Sequence, residues 1–112
     1  MTELKELSTI EQWKSVFEGT NKKPIFVFKH STTCPISASA YDVYKSYETD
    51  LDKYVVTVIE NRNVSNEIAS DLHITHQSPQ AFLVQNKKAL WNASHSKITG
   101  QALENAIKNF IK

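Results

Sequence analysis

KPIFVFKHSTTCPISAS, residues 23–39, joins a strand pattern to a helix pattern through the one cysteine of the chain. Ile25-Phe26-Val27-Phe28 is a continuous apolar run after Pro24, the pattern of a short strand buried on both faces. Ser31-Thr32-Thr33 is polar and reads as a loop. Cys34-Pro35-Ile36-Ser37 then opens a helical pattern. Proline is favoured at the first helical position because its missing N–H would have no partner there. Cys34 therefore falls at or beside the N-cap, where the free N–H groups of the first turn and the positive end of the helix dipole point at it. A thiolate in that setting is stabilised over the thiol. Ser37, at the third helical position, is placed to add a hydroxyl hydrogen bond to the sulfur. Lys29 and His30 add positive charge if they face the same way. Against this stands the ordinary behaviour of free cysteine, which is usually a small buried hydrophobe. The preceding Ser and Thr residues are not core residues, and local chemistry leaves both readings open.

Composition narrows the classes. The 112 residues suit one domain, 1–112, with a single core. A net charge of +1, with the charges scattered, provides no electrostatic footprint for nucleic acid or an anionic membrane. Two Gly and three Pro argue for an ordered chain with those residues at junctions. No apolar run reaches membrane-spanning length, and MTELKELSTIEQ lacks the pattern of a signal peptide, so a cytoplasmic protein is expected. A single cysteine excludes an internal disulfide, so any disulfide chemistry is intermolecular and suits a reducing compartment.

Outward from that stretch, Ser8 or Thr9 can cap a first helix, with Glu11 or Gln12 as capping-box partner, Ile10, Trp13 and Phe17 on one face, and Gly19 as its stop. After Cys34, Ile36, Ala40, Val43, Tyr44 and Tyr47 keep a helical period to about Glu48. Tyr41, Tyr44 and Tyr47 read as a packing stripe. Residues 54–59, YVVTVI, form a β-branched strand, Asn61-Arg62-Asn63 a turn, and Val64, Ile68 and Leu72 a short helix. Ala81-Phe82-Leu83-Val84 is a third strand, Asn86-Lys87-Lys88 a hairpin turn, and Ala89-Leu90-Trp91 a short edge strand. Thr99 caps a last helix with Leu103, Ala106, Ile107, Phe110 and Ile111 on its inner face. The order α-β-α-β-α-β-β-α predicts an α/β protein: a parallel start with right-handed crossovers, then an antiparallel pair. The result is a central mixed four-stranded sheet flanked by helices on both faces.

That order, with Cys-Pro-x-Ser at the start of the helix after the first strand, resembles the thioredoxin-like fold over nearly the whole chain. TCPIS at 33–37 together with HQSPQ at 76–80 is similar, more narrowly, to the monothiol bacilliredoxin family. The resemblance implies a cis-proline loop at His76-Gln77-Ser78-Pro79-Gln80, facing the cysteine. There the backbone of Ser78 can pair like a strand with a bound thiol or peptide. It implies removal of bacillithiol from mixed disulfides on other proteins, with Cys34 as nucleophile and Pro35, Ile36 and Ser37 stabilising its thiolate. Thr33, Ser78 and Pro79 would line the docking site; His76 and Gln80 match the family pattern without an evident role. Ordinary thioredoxins carry a buried Asp six residues before the reactive cysteine and a second cysteine three residues after it. Here those positions are Phe28 and Ser37. The implied cycle is monothiol: a Cys34–bacillithiol intermediate released by an outside thiol. Bacillithiol would be a co-substrate, with no tightly bound cofactor. The partners would be bacillithiolated proteins, bacillithiol and a recycling thiol or reductase, with the protein a monomer or weak dimer.

Other residues are weaker candidates. Lys29, within the cysteine segment, could meet the carboxylates of the malate part of bacillithiol. His30 could tune Cys34 from four residues away. In the fold that the resemblance implies, the loop before the last helix borders the substrate groove, so Ser94, His95 and Ser96 could contact the sugar or malate part. His73 and His76 lack the further partners a metal site needs, so none is expected. Two competing readings use the same thiol. One is a non-enzymatic redox sensor or adaptor that is reversibly S-thiolated. The other is an iron–sulfur carrier of the monothiol glutaredoxin type, against which Pro35 counts by stiffening the loop.

Overall fold

The computed structural model describes residues 4–111. Its sheet has five strands: β1 (Leu4–Glu6), β2 (Ile25–His30), β3 (Asp52–Thr57), β4 (Gln80–Gln85) and β5 (Lys88–Ser94). The helices are α1 (Ile10–Gly19), α2 (Pro35–Ser46), α3 (Arg62–Leu72) and α4 (Gly100–Phe110), with a 3-10 turn at His95–Lys97 before α4. The strands lie in the order β1-β3-β2-β4-β5. β1 and β2 run parallel to β3, β4 runs antiparallel to β2, and β5 antiparallel to β4. The mixed sheet is as expected, with one strand more. β1 escapes a sequence reading because it is only three residues long and two of them are exposed charges. Leu7, just after it, is 2% exposed, and its N–H bonds the Val55 carbonyl at 2.8 Å.

β2 sits in the middle of the sheet, and all six of its residues are buried. Alternation divides them between two cores. Ile25 and Val27 pack with Trp13, Val64, Ile68 and Phe82 under α1 and α3. Phe26 and Phe28 pack with Ala40, Tyr44, Leu83 and Leu103 under α2 and α4. A strand covered on both sides reads as an unbroken apolar run, as 25–28 does.

Caps follow the sequence closely. Thr9 accepts from the Gln12 N–H at 3.1 Å and Gln12 reaches back, completing the capping box of α1. Thr99 accepts from the Ala102 N–H at 3.0 Å. α1 does end at Gly19, sealed by Thr20, whose hydroxyl donates to the Phe17 carbonyl at 2.6 Å and accepts from Lys87 N–H at 2.9 Å. Several boundaries shift. β3 starts at Asp52 and stops at Thr57; Val58 is tied by its N–H to the His30 carbonyl at 2.9 Å, and Ile59 is 48% exposed in the turn beyond. Asn61 is the N-cap of α3 rather than the start of a turn. The hairpin turn shortens to Asn86 and Lys87, both with positive φ (54° and 61°), so β5 gains Lys88 and runs on to Ser94. α2 ends at Ser46 rather than near Glu48, because Tyr47 is extended.

Lys53 finishes α2. It is 4% exposed, and its ammonium donates to the carbonyls of Tyr44, Lys45 and Tyr47 at 2.9, 3.0 and 2.6 Å. These include carbonyls of the last turn that no intrahelical N–H reaches, at the negative end of the helix. Lys53→Met fills similar space but leaves three acceptors bare. We expect a loss of about 2–3 kcal/mol in urea unfolding at unchanged m-value. No helix among the described residues is long and apolar enough to cross a membrane.

Candidate active site

Two segments meet at one end of the sheet. β2 ends there and leads through Ser31, Thr32 and Thr33 into Cys34. β4 begins there, after the loop carrying Ser78 and Pro79. The two strands are antiparallel neighbours, with Lys29 opposite Gln80, so the loop before β4 adjoins the loop after β2.

Cys34 is the N-cap of α2, with an extended backbone (φ −105°, ψ 120°) and Pro35 directly after it. Its N–H bonds the Ser31 carbonyl at 3.2 Å, and its carbonyl accepts the Ala38 N–H at 3.0 Å. That is the first bond of the helix, so the N–H groups of Ile36 and Ser37 lie ahead of it at the positive end of α2. Cys34 is a free thiol and half-buried. Thr33, Pro35 and Ile36 are exposed beside it, Ile36 by 55%.

Ser37 has another task than the one expected. It is fully buried, its oxygen accepts the Ser31 N–H at 2.9 Å, and it pairs with His30 Nδ1 at 2.8 Å. Among the described contacts none joins it to the Cys34 sulfur. The hydroxyl ties the 31–33 loop to α2 and holds the thiol's setting from beneath. His30 is 9% exposed and stacks on Tyr41 with ring centroids 4.3 Å apart. Burial pushes its pKa below the ordinary imidazole value, against a weaker upward pull from Glu60. His30 is thus neutral at neutral pH, and the positive charge expected of it near Cys34 is absent. Phe28, where thioredoxins carry their buried Asp, is fully buried and stacks on Tyr44 at 4.9 Å.

The expected anion-binding role of Lys29 does not fit its position. Strand alternation turns Lys29 to the α1/α3 side of the sheet, where it is fully buried. Its Nζ lies 3.2 Å from His76 Nδ1 and 5.8 Å from the centre of the Phe82 ring. Burial pushes its pKa down to about 8. Gln80 is likewise 2% exposed and turned back into its own loop, so it offers nothing to a substrate. Its side chain accepts from the Gln77 N–H at 3.2 Å and donates to the Thr75 carbonyl at 3.3 Å. His76 is exposed, but its Nδ1 is shared by Lys29 and by the Ser65 hydroxyl at 3.2 Å.

The Ser78–Pro79 peptide is cis. Pro79 is buried, and its carbonyl accepts the His95 N–H at 3.1 Å, which draws the turn after β5 to this loop. Ser78 is half-buried, with its hydroxyl oxygen enclosed and unpartnered. Ser94 is not in a loop but is the last residue of β5, opposite Gln80. His95 has a left-handed backbone (φ 56°) and is exposed. An open groove of about 290 Å³ runs along α2, between Ile36, Ser39, Ala40 and Val43 on one side and His95, Ser96 and Ile98 on the other. Ile36 belongs both to this groove and to the surroundings of Cys34. Ser39 and Ile98 had no signal in the sequence, because the groove exists only once α2 meets the 95–98 turn, whereas Ser96 was expected to border it. Among the described residues no cluster of three or more His, Cys, Asp or Glu side chains could hold a metal ion.

A family model described as monothiol bacilliredoxin BrxC matches residues 5–103. A solved thioredoxin-fold protein, provisionally an oxidoreductase, superposes with a TM-score of 0.84 at 41% identity, covering 92% of each chain. Thioredoxin NaTrxh from Nicotiana alata superposes at 0.76 with 18% identity over 96% of this chain and 92% of its own. Thioredoxin from Schistosoma mansoni does so at 0.77 with 19% identity over 97% and 96%. At such identities the last two speak to the fold alone.

Proposed function

The chain belongs to the monothiol bacilliredoxin family, and from that premise we propose that Cys34 removes bacillithiol from mixed disulfides on other proteins. The observation that carries the reading is the partition of Cys34 and Ser37. One presents a free thiol at a helix N-terminus. The other, at the position of a second cysteine, is buried and committed to His30 and Ser31.

The cycle has two exchanges. The Cys34 thiolate attacks the bacillithiol sulfur of the substrate disulfide. A Cys34–bacillithiol bond forms, the substrate's sulfur–sulfur bond breaks, and the protein thiolate leaves and takes a proton from water. An external thiol then attacks the bacillithiol sulfur, carries it off as a second disulfide and returns Cys34 as thiolate. The external thiol supplies the reducing electrons. The N–H groups of Ile36 and Ser37 face negative charge on the sulfur whether it attacks or leaves. Ser78 offers its main chain to the segment bearing the disulfide. The groove beside Ile36 takes the remainder of bacillithiol, with His95 and Ser96 at its polar side. Bacillithiolated proteins of the cytoplasm are the substrates.

The test is a steady-state assay with a bacillithiolated protein, its glutathionylated form and excess reduced bacillithiol. We expect many protein thiols freed per enzyme, faster from the bacillithiol adduct. Release stopping at one equivalent would leave a thiol that is modified but does not turn over.

A further inference from the structure

The loop at 75–79 is held at every residue but one. The Thr75 carbonyl is bonded by Gln80, the His76 ring by Lys29 and Ser65, the Gln77 N–H by Gln80, and the Pro79 carbonyl by His95 N–H. Among the described contacts Ser78 has no hydrogen bond, from its main chain or from its hydroxyl. The side-chain anchors are buried residues of regular elements. Lys29 and Gln80 face each other across β2 and β4, and Ser65 is a 2% exposed residue of α3.

The lysine is the unusual anchor. A buried ammonium without a carboxylate costs stability, and an apolar side chain would suit this core better. Among the described residues no ion pair involves Lys29, and its polar contact is the exposed ring of a loop histidine. An ammonium only donates, so His76 Nδ1 accepts and the ring carries its proton on Nε2. Burial and the charges of Lys29 and Arg62 lower the pKa of His76, which keeps that nitrogen free to accept.

We propose that Lys29 is a positioning residue: acting through His76, with Ser65 and Gln80 beside it, it fixes the 75–79 loop so that the unbonded main chain of Ser78 meets the substrate. The proposal rests on the reading of this loop as the docking loop. It gives His76 and Gln80 their role, and it makes substrate affinity depend on a side chain that substrate cannot touch.

The test compares wild type, Lys29→Met, His76→Leu and His76→Asn. Three quantities are read: melting temperature, amide exchange of Gln77 and His95 in the free reduced protein, and KM and kcat on a bacillithiolated peptide. In Lys29→Met we expect an equal or higher melting temperature, because an apolar isostere replaces a buried charge. Exchange at Gln77 and His95 rises roughly tenfold as the loop opens locally. KM rises about five- to tenfold with kcat within about twofold, the pattern of lost uniform binding. His76→Leu behaves in the same way, while His76→Asn, whose side-chain oxygen can accept from Lys29, recovers most of the wild-type KM. Unchanged exchange and KM in both Lys29→Met and His76→Leu overturn the proposal. So does a KM that rises only in step with a falling melting temperature. Should the wild type fail to turn over, the proposed function falls, and exchange together with the His76 ring-nitrogen shifts still decides whether the latch exists.

Discussion

Cys34→Ser stops the removal of bacillithiol, lowering the rate by at least about 10³-fold to the uncatalysed level. A serine hydroxyl stays protonated where a thiolate forms, and alkoxide attack on a disulfide is not productive exchange. Nothing else in the site can substitute, since this is the one cysteine of the chain. The loss comes without unfolding. Cys34 is half-exposed, and its side chain makes no cap bond to α2. Serine is a favoured N-cap whose oxygen can accept a first-turn N–H, so the variant should melt at the wild-type temperature or slightly above it. A rate assay alongside thermal unfolding checks both halves. Retained turnover in Cys34→Ser would remove the thiol from the mechanism.

Ser37→Cys changes what accumulates. Without added thiol, the wild type ends one turnover as the Cys34–bacillithiol adduct. Positions three apart at a helix start lie on neighbouring sites of one face, within disulfide reach. The new thiol at position 37 attacks the Cys34 sulfur, an internal disulfide forms, and bacillithiol leaves as a thiol. Nearly all the adduct should therefore be lost, with the oxidised variant two mass units below its reduced form. The exchange has a cost. Sulfur accepts poorly, so the Ser31 N–H and His30 lose their buried partner, and stability falls by about 1–2 kcal/mol. Intact-mass measurement of the variant after one turnover checks the product. Adduct retained at the wild-type level would mean that position 37 cannot reach Cys34, and that its hydroxyl is not what makes the cycle monothiol.

Much of this was legible in the sequence because local rules and tertiary packing agree. The run 25–28 announces a strand covered on both faces, Pro35 marks the helix start that makes Cys34 an N-cap, and Thr9 and Thr99 cap the helices their residue types predict. Where packing alone decides, the sequence is silent. Val58 and Ile59 look like strand, but β2 supplies partners only as far as His30, opposite Thr57. A strand buried on both sides gives no inside and outside, so the face of Lys29 and of His30 could not be read until β2 was placed between two helical layers. Ser37 is different: it lies three residues before Ala40 and seven before Tyr44, on the stripe that α2 buries. Its burial was therefore legible from the helical period, whereas its partners, His30 and the Ser31 N–H, were not. HQSPQ identified the loop but not the roles within it. Those depend on the pairing of Lys29 with Gln80 across two strands distant in sequence.

The most direct measurement follows the intact masses of reduced enzyme and bacillithiolated substrate together through a single turnover, and then after adding bacillithiol. The account predicts that the adduct leaves the substrate as it appears on Cys34, and that added bacillithiol removes it and restarts the cycle. A substrate that loses its adduct while Cys34 never carries one, or an adduct on Cys34 that bacillithiol cannot release, would contradict it.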